Sequence, residues 1–234
     1  MRRSSFALLA GALLLAPFAN AAEEVEESTT GFSGNVAATS EYIYRGISQS
    51  DDRPALQLNG QYTLRSGIYF GLWGSTVDFG DSTDAEIDTF IGWAGDIAEE
   101  MNLDVQLVRY NYLDEPAGTD YAYNEVVGIL SAGDIWSFTA GYTNDYLNTG
   151  TDSIYAAVGS EWAIGDDYML NLGVGYTTVD GPIEGYLDYA VGISRAFGPV
   201  RIGLGYTGTN SDARRLYGRD AAEAKIALTV TVEG

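Results

Sequence analysis

"YMLNLGVGYT", residues 168–177, alternates without a fault: Tyr168, Leu170, Leu172, Val174 and Tyr176 fall on one side of an extended chain. Met169, Asn171, Gly173, Gly175 and Thr177 fall on the other. The first set is aliphatic at its centre with a tyrosine at each end, and the second is small or polar. "IWSFTAGYTNDY", residues 135–146, repeats the pattern, with Trp136, Phe138, Ala140, Tyr142 and Tyr146 set against Ser137, Thr139, Gly141, Thr143 and Asp145.

Working outward from these two, the period of two predicts twelve strands. They lie near 32–44, 55–65, 68–78, 85–96, 103–113, 121–132, 135–146, 153–164, 168–178, 185–197, 200–210 and 221–232. The connections alternate in length. Ser66-Gly67, Gly133-Asp134, Gly165-Asp166-Asp167 and Gly198-Pro199 are tight, and 97–102 is fairly short. "RGISQSDDRP", "FGDSTD", "EPAGTD", "LNTGTD", "GPIE" and "SDARRLYGR" are the loops between them. A water-soluble sandwich has no reason to keep every second turn short, whereas a transmembrane barrel has short periplasmic turns and long external loops.

Strand length agrees, because a tilted membrane-spanning strand needs about 9–11 residues. In lipid every backbone N–H and C=O must pair internally, so the sheet must close. The expected fold is an all-β, antiparallel transmembrane β-barrel of about twelve strands over residues 31–234, with both termini periplasmic. A soluble β-sandwich or a lipocalin-like barrel is the competing architecture.

The chain's 234 residues begin with Arg2, Arg3, a run "FALLAGALLLAPFA" and Ala19-Asn20-Ala21. This reads as a cleaved secretory signal peptide over 1–21, too short for a spanning helix. Residues 22–30, beginning "AEEVEESTT", read as a flexible acidic periplasmic segment. The chain has 12 Lys plus Arg against 33 Asp plus Glu, a net charge of −21. Nucleic acid is therefore a poor partner. Histidine and cysteine are both absent, which removes thiolate and imidazole catalysis, disulfides and the usual zinc ligands. No cofactor is expected.

On this scheme residues 40–57, "SEYIYRGISQSDDRPALQ", are a strand end, an external loop and a strand start. Phe32, Val36, Ala38, Tyr42 and Tyr44 would face lipid, and Arg45 and Gly46 would mark the rim, within reach of headgroup phosphates. Pro54 would begin the return strand, and Leu56, Leu58, Tyr62 and Leu64 would resume the lipid face. Tyrosines at strand ends (Tyr42, Tyr44, Tyr62, Tyr110, Tyr112, Tyr121, Tyr123, Tyr146, Tyr168, Tyr176 and Tyr206) would supply interfacial girdles.

The run Ser40-x-Tyr42-x-x-Arg45-Gly46-x-Ser48-Gln49, then Arg53-Pro54-Ala55-Leu56-Gln57 and Gly67-x-Tyr69-x-Gly71-x-Trp73-x-Ser75, resembles the TorF-type porin family of proteobacterial outer-membrane proteins. Glu86-Ile87-Asp88 and "VRYNYLDEP" are similar to it as well. The resemblance spans roughly residues 33–125. It implies an outer-membrane β-barrel with channel activity, and it carries over no catalytic residues. Many outer-membrane barrels end in an aromatic residue, where this chain reads "ALTVTVEG".

With the apolar sets facing lipid, the alternate sets line a lumen: Gln57, Asn59, Gln61, Thr63, Arg65, Glu86, Asp88, Asp104, Gln106, Glu161, Asp188, Arg201, Glu223 and Lys225. Their acidic excess would favour cations, although solvated or cross-strand pairs are an equal reading. Arg109 shares the parity of Leu103, Val105 and Leu107, so a bulge or an interfacial position is expected there; Glu125 poses the same problem on the next strand. "DFGDSTDAEID" has carboxylates that could hold Ca²⁺ but lacks an EF-hand pattern, and solvated acidic loops fit it better. Arg214, Arg215 and Arg219 could touch lipopolysaccharide phosphates or form an ordinary rim cluster.

The expected function is a passive, modest-diameter, cation-preferring outer-membrane channel for small solutes or ions in a Gram-negative bacterium. Its partners would be outer-membrane lipid, lipopolysaccharide and the barrel-assembly machinery, with homo-oligomers open. A non-conducting structural or adhesive barrel working through its loops is the alternative. An enzyme has no carboxylate pair that stands out.

Overall fold

The computed structural model describes residues 30–180 and 185–234. The leader, the acidic stretch at 22–29 and the "GPIE" loop lie outside the described residues.

Twelve strands close into an antiparallel barrel: β1 (Gly31–Thr39), β4 (Ala55–Thr63), β5 (Ile68–Thr76), β6 (Ala85–Ala98), β7 (Met101–Leu113), β8 (Tyr123–Ala132), β9 (Trp136–Thr143), β10 (Ser153–Ile164), β11 (Tyr168–Thr178), β12 (Gly185–Phe197), β13 (Val200–Thr209) and β14 (Lys225–Glu233). Each pairs with its sequence neighbours, and β1 pairs with both β4 and β14. At that seam Gly34 and Gly234 exchange backbone hydrogen bonds of 3.4 and 3.0 Å. Two further strands, β2 (Ile43–Tyr44) and β3 (Ile47–Ser48), form a separate hairpin.

The alternation in sequence becomes an inside and an outside. Leu58, Leu72, Ile91, Leu107, Val126, Val158, Leu172, Val191, Leu204 and Leu228 form an exposed aliphatic band around the wall. Near the tight turns it is flanked by Phe32, Tyr62, Phe70, Trp93, Trp136, Trp162, Tyr168 and Phe197, and toward the long loops by Tyr142, Tyr176, Tyr189 and Tyr206. An apolar belt between aromatic girdles is the surface a barrel needs in a bilayer. The tyrosines expected in the girdles therefore divide. Tyr62, Tyr168, Tyr176 and Tyr206 lie on the outside, whereas Tyr42, Tyr44, Tyr110 and Tyr123 are buried inside. Tyr112, Tyr121 and Tyr146 are half-buried near the loop end.

Three boundaries differ from the sequence reading by more than two residues. The first strand stops at Thr39 instead of residue 44, because Thr39 Oγ1 donates to the Glu41 carbonyl oxygen at 2.8 Å and turns the chain inward. The seventh predicted strand ends at Thr143, and a short 3₁₀ turn follows at Tyr146–Asn148. The twelfth begins at Lys225 instead of residue 221, since "SDARRLY" and "RDAA" form α1 (Ser211–Tyr217) and α2 (Arg219–Ala222). Asn210 caps α1 through its side chain, and Gly218, with φ of +88°, separates the two helices.

The register also answers the two parity questions. β7 pairs with β8 without a shift, and Arg109 points outward beside Asn111, bonded at 3.3 Å. Glu125 points inward, with Val127 and Ile129 behind it. The lumen wall here is apolar as well as charged.

Candidate lumen constriction

Residues 41–50, expected as the end of the first strand and the start of an external loop, fold into the barrel. Ile43 pairs with Ser48 and Tyr44 with Ile47, leaving Arg45 and Gly46 as a two-residue turn at φ of +48° and +80°. Positive φ at both positions gives the tight hairpin turn that suits twisted strands. A Cβ on Gly46 would come within 2.5 Å of Thr209 Cγ2 and 2.8 Å of Asp188 Cβ, so the tip is pressed against β12 and β13. The base is held by Tyr42 N–H to Ser50 Oγ (2.9 Å), Gln49 N–H to the Tyr42 carbonyl (2.8 Å) and Asp78 N–H to the Gln49 carbonyl (2.8 Å).

The expectation that Tyr42 and Tyr44 face lipid, and that Arg45, Gly46, Ser48 and Gln49 sit at the rim, is thus corrected. All but the half-buried Gln49 are buried in the interior. The reason is energetic: a guanidinium and two phenols in hydrocarbon lack partners, whereas the lumen offers carboxylates.

Arg45 Nη2 lies 2.8 Å from both Glu125 carboxylate oxygens. Its guanidinium carbon stands 4.7 Å from the Tyr44 ring centre and 4.2 Å from that of Tyr155. Glu125 also accepts from the Tyr110 hydroxyl (3.0 Å) and the Tyr44 hydroxyl (3.3 Å). Glu86 accepts from Tyr42 (3.1 Å) and Tyr112 (3.3 Å), and the Tyr42 ring packs 5.4 Å from Trp73. Below them the Tyr69 hydroxyl donates to Asp104. Tyr155 reaches Asp188 at 3.5 Å, a space kept by Gly175, whose Cβ would meet the Tyr155 hydroxyl at 2.3 Å.

Charge in this interior is lopsided. Glu41, Glu86, Asp88, Asp104, Glu125 and Asp188 are buried, against Arg45 and Lys225. Arg45 is taken by Glu125, and Lys225 Nζ by Asp52 at 2.6 Å. Asp88 Oδ1, Asp104 Oδ2 and Asp188 Oδ2 have no hydrogen-bond partner among the described residues, nor do Gln57 Nε2, Gln61 Oε1 and Gln106 Oε1. Outside the strands, burial pushes the Glu41 carboxyl above its ordinary range, partly offset by the Ser48 hydroxyl that donates to it.

The two halves of the wall differ in bulk. From β5 to β8, Tyr69, Trp73, Phe90, Val108, Tyr110, Tyr123, Val127 and Ile129 pack with the hairpin tyrosines into one apolar cluster. From β9 to β14 many inward positions are small, such as Thr139, Ala157, Gly159, Gly173, Gly192, Ser194, Gly203, Gly205, Ala227 and Thr229, with Tyr155, Tyr186, Asp188, Arg201 and Lys225 among the larger exceptions. Over the loop end, Ile47 and Tyr186 pack against Ala213 and Ala222 of the two helices, and Thr209 Oγ1 donates to the Ala222 carbonyl at 2.6 Å.

Of the lumen residues expected from parity, Gln57, Gln61, Glu86, Asp88, Asp104, Asp188 and Lys225 are buried inside, and Glu161 and Arg201 are half-buried. Arg201 Nε pairs with Glu233 at 3.2 Å near the tight-turn end. Two are corrected. Arg65 is exposed in the β4–β5 turn, where strand parity has already ended, and Glu223 follows α2 at the loop end, 3.7 Å from Lys225. Arg214, Arg215 and Arg219 are exposed, the last two beside Asp212 (3.3 Å) and Glu223 (3.7 Å). Glu125, Tyr155 and the hairpin seat were missed. An Arg-Gly pair between Ile-Tyr and Ile-Ser was the available signal.

Among solved structures the barrel is similar to the KdgM porin, with a TM-score of 0.54, 7% identity, and coverage of 86% of this chain and 98% of that one. It is equally similar to the NanC porin, at 0.54 and 9% identity with the same coverage. A KdgM porin in complex with disordered oligogalacturonate aligns at 0.52 and 8% identity, again over 86% and 98%. At these identities the likeness is one of fold. No curated protein matches the sequence. Residues 23–233 match the model of a family described as "Bacterial protein of unknown function (Gcw_chp)".

Proposed function

Because the chain belongs to the Gcw_chp family, whose function its description leaves open, we propose from the geometry that it is a gated, cation-preferring channel of the outer membrane. The observation that carries this is the interior's composition: among the described residues, six buried carboxylates against two buried cations, in a barrel whose outside is apolar. A passage lined by excess negative charge concentrates cations and repels anions. The inserted hairpin narrows the loop end, so conduction of small solutes or ions depends on the small-residue half of the wall or on hairpin movement.

The TorF-type assignment rests on the motif residues that build this hairpin. Export through the signal peptide, residence in a Gram-negative outer membrane, insertion by the barrel-assembly machinery and contact of Arg214, Arg215 and Arg219 with lipopolysaccharide complete the proposal. Homo-oligomers are compatible with it. The apolar cluster between β5 and β8 favours a second reading, a barrel that does not conduct and acts through its loops.

Planar-bilayer recording of the refolded protein under a KCl gradient separates the two. Discrete openings with a cation-selective reversal potential support the channel. A folded barrel, silent both intact and with residues 42–49 replaced by a short Gly-Ser linker, supports the second reading.

A further inference from the structure

Arg45 sits in its surroundings as a bound ligand would. Its guanidinium carbon lies 4.2 Å from the ring centre of Tyr155 on the wall and 4.7 Å from that of Tyr44 on its own hairpin, with one nitrogen 2.8 Å from both oxygens of Glu125. The walls of this seat come from β7, β8, β9, β10 and β12, remote from the β1 and β4 strands that carry the hairpin. Tyr110 and Tyr155 are each less than 3% exposed, as is Glu125. Room for the cation is made by Gly141 on β9, where a Cβ would stand 2.8 Å from Glu125 Oε1 and 3.0 Å from Arg45 Nη2.

A second carboxylate faces the same place. Asp188, 5% exposed, touches the Gly46 turn through its Cβ and shares Tyr155 with the seat, yet its Oδ2 has no partner among the described residues. The wall thus offers more negative charge than Arg45 alone neutralises. The Tyr155 face beside paired carboxylate acceptors selects a planar or soft organic cation over a strongly hydrated metal ion.

We propose that this seat, built from Glu125, Asp188, Tyr110 and Tyr155, is a binding site for solutes bearing a guanidinium group, and that Arg45 fills it as an internal stand-in. An incoming guanidinium that displaces Arg45 takes over both the Glu125 oxygens and the Tyr155 face, and releases the hairpin. The inference deepens the channel reading by naming a solute class for its lumen, and rests on it only for the step from binding to permeation.

The test uses Arg45→Ala in the full mature chain, refolded in detergent, with methylguanidinium chloride as probe and sodium chloride at equal ionic strength as control. Thermal unfolding of the barrel, followed by heat-dependent gel mobility, is the readout. The expected result is a saturable rise of the midpoint toward that of the unmutated protein, half-complete at about 1 mM probe. The unmutated protein should respond far less, its seat being filled. A folded Arg45→Ala barrel that responds alike to both salts overturns the proposal.

Should Arg45→Ala not fold, Ser48→Cys carries the test in a chain that has no other cysteine. Methylguanidinium, at concentrations well above those that saturate Arg45→Ala, should compete with Arg45 for the seat and speed thiol labelling by displacing the hairpin, and labelling unchanged relative to sodium at the highest concentration overturns the proposal. Conductance is read separately. A site that binds the probe in an electrically silent barrel leaves this inference standing and removes the channel, whereas a conducting Arg45→Ala indifferent to methylguanidinium does the reverse.

Discussion

Arg45 and Glu125 meet across the barrel: the arginine hangs from the loop joining β1 to β4, and the glutamate stands on β8, reached along the wall through β4, β5, β6 and β7 in one direction or through β14 to β9 in the other. One guanidinium nitrogen holds both carboxylate oxygens at 2.8 Å. This pair anchors the tip of a hairpin whose base is held by hydrogen bonds among Tyr42, Gln49, Ser50 and Asp78.

Breaking the pair should loosen the barrel and open it. Removing one partner of a buried ion pair leaves the other uncompensated, at a cost of about 3–5 kcal/mol, while replacing both by apolar residues is close to neutral. Arg45→Ala should therefore unfold at lower denaturant and conduct several-fold more. Arg45→Met combined with Glu125→Leu should regain most of the stability, as read by urea titration in detergent.

Gly46→Asn separates backbone strain from crowding. Asparagine accepts positive φ better than alanine, for which the cost is roughly 1–2 kcal/mol, yet its Cβ meets Thr209 and Asp188 as alanine's does. Both variants should unseat the hairpin, detected as faster proteolysis within residues 40–54. Protection restored by asparagine alone would assign the constraint to the turn and not to the wall.

Charge selectivity should follow the carboxylates that no cation holds. Asp88→Asn with Asp188→Asn removes two lumen carboxylates that no cation holds and should move the reversal potential under a salt gradient toward zero. Asp167→Asn, which lies exposed in a tight turn and pairs only with Arg195, should leave it in place.

Glu41 gives a pH test with a definite sign. Burial raises its folded pKa above the unfolded value, so the native state favours the protonated form. That contribution is fully present below the ordinary glutamate range and is lost as pH rises through the folded value. Glu41→Gln should therefore raise the unfolding midpoint at pH 7, with the gain vanishing toward pH 4.

The outer band offers an independent check on lipid contact. Leu204→Arg, at the middle of β13, should cost about 2–4 kcal/mol for folding into liposomes. Asp114→Arg, in the loop between β7 and β8, should cost little.

Strand number, alternation and turn lengths were legible because each follows from chemistry local to a few residues. Tyr168 to Thr178 needs no distant partner to declare which face is apolar. The inserted hairpin was not legible, because Tyr42 and Tyr44 keep the parity of Val36 and Ala38 and read as one continued strand. Their true environment is set by Glu86, Tyr110 and Glu125, far along the chain, and local periodicity carries no trace of that. The cap at Asn210 and the Gly218 break were local signals for α1 and were passed over within an expected loop. Arg65 was misplaced by extending strand parity two residues past the strand's end.

The eighty residues that separate Arg45 from Glu125 set an order of events as well as a contact. β8 has to exist before the arginine can find it, and β1, the strand from which the hairpin departs, is also the one that must wait for β14 before the cylinder is complete. Contacts so distant in sequence form late, since the loop they close is long. The first strand made is thus among the last to be satisfied on both its edges. The clasp depends on β8, β12 and β13 being in place, whereas the strand pairing of the wall does not depend on the clasp, so undoing it would open the interior and leave the wall's pairing as it is.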